Sequence, residues 1–534
     1  METIIVEAIM KTLYYNGHII TMTSQPMPQA VLCENGKIIA TGNYDILKTK
    51  ADCFIDLKGK TMLPAFIDGH SHFTTVANTL AIADLSQAKS IEEIKNILNV
   101  FVDNKGQIGD DEFIVGFGYD NNFLPEKAHP TKTDLDSIST QYPVVISHTS
   151  GHMGVANTKA LEIMGIDEKT PDPEGGKIGR NSDGSLNGYL EETAFTTNTA
   201  VIKQPGYEDM CRYAQQAQQM YFKYGITTIQ DGFTGLKEWG LLKKLSDDGH
   251  LIADIVSYVD INTCPQILTN NSEYNKNYIK NLKIGGYKLF LDGSPQGRTA
   301  WMTYPYENSK DYCGYPIYND KQVFEFVKKA ISEKQQLLCH CNGDAAARQF
   351  IDAYFEADSQ LGTQDNYRPV LIHGQLATPR QMELLHSLGM IVSFFVAHTW
   401  QWGDIHLENF GERAMKICPV NSALNNNAVT TFHQDTPVLP PDMMHTVWCA
   451  VNRLTQNGVQ LDKSESVSVY DALKSITINA AYQYGEENIK GTIEIGKEAS
   501  FVILSDNPLL CDKNDINKIK VLQTILRGET VYSA

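Results

Sequence analysis

Short β-rich runs at the two ends of the chain enclose a long middle in which apolar runs alternate with helical patterns. Near the start, KTLYYNGHII and AVLCENGKIIATG are split by Asn-Gly and by Glu-Asn-Gly-Lys, the punctuation of hairpins. GTIEIGKEASFVIL and VLQTILRGETVYSA have the same character at the other end. Segments 1–62 and 484–534 are therefore expected to pair into one small β-sandwich. Between them lie eight strand candidates with polar or Gly-marked ends, at 61–72, 225–232, 252–260, 285–293, 336–344, 368–375, 390–398 and 428–435. Helical segments fall between several of them: EDMCRYAQQAQQMYFKY, KQVFEFVKKAISEK, AAARQFIDAYFEA, and a helix opened by Thr378 and Pro379, a capping residue and a first-turn proline. Eight strands alternating with helices predict an α/β fold, a (β/α)8 TIM-like barrel over 63–483. One interval is too long for a crossover. Residues from about 74 to 205 are expected to form an insertion after the first barrel strand, over the active-site end. Within it, Ser90 and Glu93 are expected as a capping box for the helix IEEIKNILNVFV.

Composition narrows the setting. The 534 residues include no apolar run approaching the roughly 18 that a spanning helix needs, so no membrane role is expected. METIIVEAIMKTLYYNG lacks a basic region followed by a long apolar stretch, so a cytoplasmic location is expected. Lys plus Arg number 45 against 63 Asp plus Glu, a net charge of -18, and so acidic a surface repels phosphate backbones. Nucleic acid is not an expected partner. Ten cysteines without CxxC spacing read as buried thiols, not as a disulfide framework.

The strand ends carry the candidate chemistry. His70 and His72 are two apart, so strand alternation would send both side chains to one face, where they could hold a metal ion. A lone H-x-H is also compatible with a polar turn. Its company sharpens the signal: His340 ends strand five, His373 strand six and Asp435 strand eight, all at the catalytic mouth of the same barrel. Nitrogen and oxygen donors of this kind suit zinc. Lys288 lies mid-strand, where an unpaired ammonium is costly to bury. It is either exposed, or paired to Asp292, or a neutral amine carboxylated by carbon dioxide into a carbamate that bridges two metals.

FIDGHSH, the Lys of KLFLDGS, the His of CHCNGDAA, the His of LIHGQLATP and the Asp of HQDTPV together resemble the amidohydrolase superfamily. GYDNNFLPEKAHPTKTDLD, PVVISHTSGHMGVANTKAL, GSLNGYLEETA, DGSPQGRTA, AVNRLT and the tail GTIEIGKEASFVIL extend the resemblance over nearly the whole chain, to the YtcJ-like branch that includes N-substituted formamide deformylases. The resemblance implies a metal-dependent barrel with ligands at His70, His72, carboxylated Lys288, His340, His373 and Asp435. Gln434 departs from the more usual Ser before the Asp. The implied reaction is hydrolysis of an amide-type C–N bond of a small N-formyl or N-acyl amine. A metal lowers the pKa of bound water from 15.7 towards about 7, making the nucleophile. Asp435 would be the general acid and base. His152 would aid polarisation of the carbonyl.

Other residues are open to two readings. His152 and Asp120, with Tyr119 and Glu191, are candidate pocket residues of the insertion; His148 reads as structural. Arg298 could bind a substrate carboxylate in fork geometry, with Asp292 beside it, or be a solvated Arg. His433 shares a face with Asp435 and is either a support to the site or a core histidine. Cys339 and Cys341 should face away from His340 as buried apolar residues. His18, His129, His250, His386 and His406 read as surface or helix residues without a role. Two rival functions remain: a non-catalytic small-molecule binding or regulatory protein on the same barrel, and a metal-independent glycosidase using paired carboxylates. A homodimer is the commonest assembly and is the expectation here.

Overall fold

A computed structural model describes residues 10–24, 27–105, 109, 112–203, 205–362 and 365–534, with the side chains of 104 and 105 left aside. The opening nine residues, part of the stretch read above for a leader, lie outside the described residues. No described helix is long and apolar enough to cross a membrane. The chain forms two compact units, one of Met1–Thr74 with Gln218–Ala534 and one of Thr75–Ala217.

The first unit contains eight strands in one parallel sheet, arranged in sequence order. They are β1 (Phe66–Ile67), β2 (Ile226–Thr234), β3 (Asp254–Asp260), β4 (Leu282–Phe290), β5 (Gln336–Cys341), β6 (Val370–His373), β7 (Ile391–Phe394) and β8 (Val429–Phe432). The sheet curls until its first and last strands meet. A Cβ on Gly69 would lie 2.7 Å from the Phe432 carbonyl, and the His72 N–H donates to the Thr436 carbonyl at 2.9 Å. This is a TIM-like barrel, clad by helices that include α1 (Leu236–Asp247), α2 (Asp320–Ser332), α3 (Asp344–Leu361) and α4 (Pro379–Ser387). The start of α4 has its reason in the sequence: Thr378 and Gln381 cap each other reciprocally and Pro379 occupies the first turn.

Below the mouth the barrel is filled with apolar side chains: Ile67, Val256, Tyr258, Leu338, Val370, Ile372 and Ile391 pack with Ala480, Ala481 and Tyr484. Because alternate residues of a strand share a face, Leu338 in this core puts His340 inward, one layer nearer the mouth, and Cys339 and Cys341 outward. The same register aligns Lys288 with Leu338 and therefore aims it into the barrel.

The expected first strand, 61–72, is broken. Thr61–Pro64 pairs with Phe501–Leu504 in a five-stranded sheet, the chain turns at Ala65, and only Phe66–Ile67 joins the barrel. That five-stranded sheet unites segments from both ends of the chain. Its Met62, Phe501, Ile503 and Ile525 share one apolar cluster with Tyr14, Val31 and Cys33 of a separate four-stranded sheet.

The second unit is built on a six-stranded sheet in the spatial order Gly176–Arg180, Leu186–Glu192, Met153–Ala156, Val144–His148, Ile114–Tyr119, Ala83–Asp84. Alternation places Val144 and Ile146 in one apolar cluster with Ile94 and Leu98, and Val145 in another with Leu161 and Phe195. Both faces are thus covered. The unit extends to Ala217, beyond the expected limit of 205, by taking in the first part of helix Tyr207–Lys223. At Ser90 the hydroxyl accepts the Glu93 N–H as expected, but the Glu93 carboxylate reaches the N–H of Lys89 instead of Ser90.

Candidate metal centre

His70 follows β1 on a bend and His72 in an isolated bridge to Asp231, neither within a strand, so strand alternation does not place them. His72 Nε2 lies 3.3 Å and His70 Nε2 3.5 Å from Asp435 Oδ1. One ligand atom from each of the three falls within 4.8 Å of the others. Lys288 Nζ lies 2.9 Å from His70 Nε2. Across the mouth, His373 Nε2 lies 3.1 Å from His340 Nδ1 and 3.9 Å from Asp435 Oδ2. The six residues expected as ligands are therefore contiguous.

Two of them depend on unusual backbone. Register pairs His340 with Ile372, so plain alternation would turn His373 to the outside of the barrel. A φ of +74° at His373 swings it back to meet His340. Asp435 has a φ of +53°. Non-glycine residues in this region carry strain that persists where the surroundings over-determine it, and such outliers cluster at functional sites.

Three of the four histidines are held from behind. Gln230 Oε1 accepts from His70 Nδ1, and the Gln230 amide in turn donates to the Gly69 carbonyl and to the Tyr484 hydroxyl. His433 bonds Nδ1 of His373 and is itself bonded to Ser393 Oγ. His340 Nε2 contacts the Gly293 carbonyl at 3.1 Å and Asp292 Oδ1 at 3.5 Å. Of the two readings left open for His433, the support to the site is the one that forms.

Burial sets the electrostatics. It pushes His70 and His373 well below the ordinary histidine value, helped by Lys288 at the first and His340 at the second. Burial also pulls Lys288 down to about 8. For Asp435 burial works upward, but His72, His373 and His70 outweigh it and hold the carboxyl well below its usual range. A cation fits this donor set. Asp435 Oδ1 is sealed from solvent without an aligned hydrogen bond among the described residues, yet faces two imidazole nitrogens. Two nitrogens sharing one tetrahedral ion at about 2.0–2.1 Å lie about 3.3 Å apart, close to the 3.1 Å between His340 and His373.

Not every candidate joins the cluster. Asp292 is buried and accepts the backbone N–H groups of Asn342, Gly343 and Trp301 at 2.9, 2.7 and 3.0 Å. With both oxygens so engaged it ties the loop after β4 to the end of β5 instead of awaiting a substrate, and burial raises it to about 7. It does not pair with Lys288, which meets His70 instead. Arg298 donates to the Glu307 carbonyl at 2.7 Å and lies over the Tyr306 ring, so its fork is turned to its own loop.

In the second unit, Asp120 Oδ1 accepts from the Asn122 N–H at 2.9 Å and lies 3.3 Å from His148 Nε2. His152 Nδ1 bonds Glu192, while Glu191 accepts from the Tyr189 hydroxyl. Tyr119 bonds His129 at 2.8 Å. His129 is therefore a partly buried, hydrogen-bonded residue and not a surface one. His406 is on a helix, one of the two settings expected for it, but is fully enclosed against His398. His398 went unweighed in the sequence although it ends the seventh strand candidate; its position after β7 was the available signal.

The model of the amidohydrolase family matches residues 54–532. A Bacillus subtilis (strain 168) protein described as an amidohydrolase, YtcJ, is 25% identical, with 98% of this chain and 99% of that protein aligned. The N-substituted formamide deformylase of Arthrobacter pascens is 26% identical over 94% of this chain and 95% of its own. Among solved structures, an uncharacterized metal-dependent hydrolase from Pyrococcus furiosus superposes with a TM-score of 0.74 at 26% identity, covering 93% of this chain and 100% of that one. A match that runs through all eight barrel strands and every metal-capable residue at their ends makes this chain a member of the amidohydrolase family.

Proposed function

We propose that the protein is a zinc-dependent hydrolase that cleaves the amide-type C–N bond of a small N-formyl or N-acyl amine. The observation that carries this reading is the meeting of His70, His72, Lys288, His340, His373 and Asp435 at one end of the barrel, with His70, His340 and His373 held from behind. The relative named as an N-substituted formamide deformylase supports the bond type. His70, His72 and Asp435 would hold one cation and His340 with His373 a second; imidazole and carboxylate donors suit zinc. Bound there, the metal supplies Lewis acidity towards a carbonyl and acidifies water.

The remaining chemistry belongs to the chain. Lys288 would help to hold the metal as a carbamate in this reading: its neutral Nζ adds to the carbon of carbon dioxide and releases one proton to water, leaving an anionic carbamate. Burial favours the neutral amine that this step needs. Asp435 takes the proton of the attacking water at its carboxylate and returns it to the departing nitrogen, so that a neutral amine leaves. His373 is kept neutral by burial, leaving its inward nitrogen, which faces His340 Nδ1, as a lone-pair donor.

The test is elemental analysis of protein purified without chelator, joined to a screen of N-formyl and N-acyl amines for released acid. Two zinc equivalents with turnover support the reading. One equivalent with turnover removes the bridging role of Lys288. Metal without turnover of any amide puts the binding or regulatory reading in its place.

A further inference from the structure

His398 lies just beyond β7, between the strand that carries His373 and the strand that leads to Asp435. The Phe395 ring joins it to the metal centre, with centroids 4.6 Å from His398, 6.4 Å from His373 and 5.5 Å from His433. Behind it stands His406, on the helix Gly403–Phe410. The two imidazole planes are within 5° of each other, the centroids are 5.3 Å apart, and His398 Nδ1 is 3.1 Å from His406 Nε2. This is a hydrogen bond running along the line that joins two coplanar rings.

The direction of that bond follows from its surroundings. Burial drives both imidazoles to the neutral form, His406 down to about 3, so each ring carries one proton. His406 Nδ1 is sealed from solvent and has no partner among the described residues. A proton there would be an orphaned buried N–H, rarer and costlier than an unused lone pair. The His406 proton is therefore on Nε2, donated to His398 Nδ1. His398 must then carry its own proton on Nε2, where it has no acceptor among the described residues. Of the two outer nitrogens, His406 Nδ1 is sealed from solvent and His398 Nε2 is not, so the open end of the pair is His398.

We infer that His398 is a further catalytic residue: it donates a hydrogen bond from Nε2 to the carbonyl oxygen of the substrate, and His406 is the positioning residue that fixes this tautomer. The inference deepens the proposed amide hydrolysis and rests on it. Negative charge grows on that oxygen as water adds, and a preformed neutral donor is worth most at that moment. His70, His72, His340, His373 and Asp435 cannot serve, since their inward atoms are the lone-pair donors of the metal centre.

Two measurements on the zinc-loaded protein test it. Long-range 15N–1H correlation of histidine-labelled protein, assigned with His398→Gln and His406→Leu, should show His398 as the Nε2–H tautomer; an Nδ1–H tautomer overturns the inference. In kinetics, His398→Ala should lose about 100- to 1000-fold in kcat, the range for one oxyanion donor, with KM and zinc content near wild type. His406→Leu should lower kcat with bound zinc unchanged, and His406→Gln, whose amide can still donate to His398 Nδ1, should restore it. A His398→Ala enzyme within twofold of wild-type kcat, at full zinc, overturns the inference. Wild-type turnover of the amide panel is read first and separately: its failure sinks the amide reading, whereas the tautomer spectrum stands or falls by itself.

Discussion

His433 Nε2 lies 3.2 Å from His373 Nδ1, so a buried histidine just beyond β8 orients the ring of His373 at the barrel mouth. Ser393 holds His433 in turn at 2.8 Å. The outer partners of metal-bound histidines fix the tautomer and the ring, and their loss costs about 10- to 100-fold in metal affinity. His433→Phe should therefore weaken metal binding by that factor while leaving the helix and strand content intact. Competition against a chelating dye measures it; unchanged affinity would make His433 a packing residue only.

Asp435→Asn removes the proposed proton acceptor but keeps the shape of the side chain. We expect kcat to fall about 100- to 10,000-fold, the worth of a positioned acid or base. Metal content, read in parallel, separates loss of proton transfer from loss of the ion. Near-normal kcat would end the acid–base role.

Lys288→Ala should empty the centre of part of its metal and abolish turnover. If the role is that of a carbamate, acetate or propionate should restore some activity by supplying the missing carboxylate. Full metal occupancy in this variant would instead indicate a centre that needs no bridge.

At the opposite end of the barrel a buried charge network joins it to the C-terminal sheet. Lys490 pairs with Asp254 and, at 2.9 Å, with Glu486; Arg527 reaches Asp254 at 2.8 Å, and Lys283 pairs with Glu486. Burial alone would raise both carboxyls, but Lys490 with Arg527 at Asp254, and Lys490 with Lys283 at Glu486, hold them below their ordinary values. A depressed carboxyl pKa stabilises the fold above the unfolded value, and the benefit is lost as pH falls through the folded one. The urea midpoint should thus be level from neutral pH to about 5 and drop below about 4. Lys490→Met, which leaves Asp254 to Arg527 alone and Glu486 to Lys283 alone, should cost up to about 3–5 kcal/mol at pH 7 and much less in acid. An equal loss at pH 7 and pH 3 would refute the electrostatic origin.

What could be read from local pattern is considerable. Seven of the eight strands, the Thr378–Pro379 helix start and the opposed aim of His340 and its flanking cysteines follow from periodicities of two and 3.6, which act over a few residues, whereas local pattern leaves Lys288 open between exposed and buried. His373 already belonged to the candidate set by residue type and place, yet its inward aim violates the same periodicity and exists through a positive φ that packing enforces. The turn at Ala65 is equally invisible, because Thr61–Pro64 leaves the barrel for a partner strand more than four hundred residues away in sequence. Asp292 shows the same limit: an acidic residue beside a strand end reads as available for a substrate until the fold brings three backbone N–H groups to it. His398 and His406 are eight residues apart and unremarkable in sequence. Their bond depends on the helix Gly403–Phe410 folding back against the residues that follow β7. Periodicity decides which way a side chain leaves its own strand. Closure of the barrel decides which other side chains it then meets, because those neighbours come from distant parts of the chain.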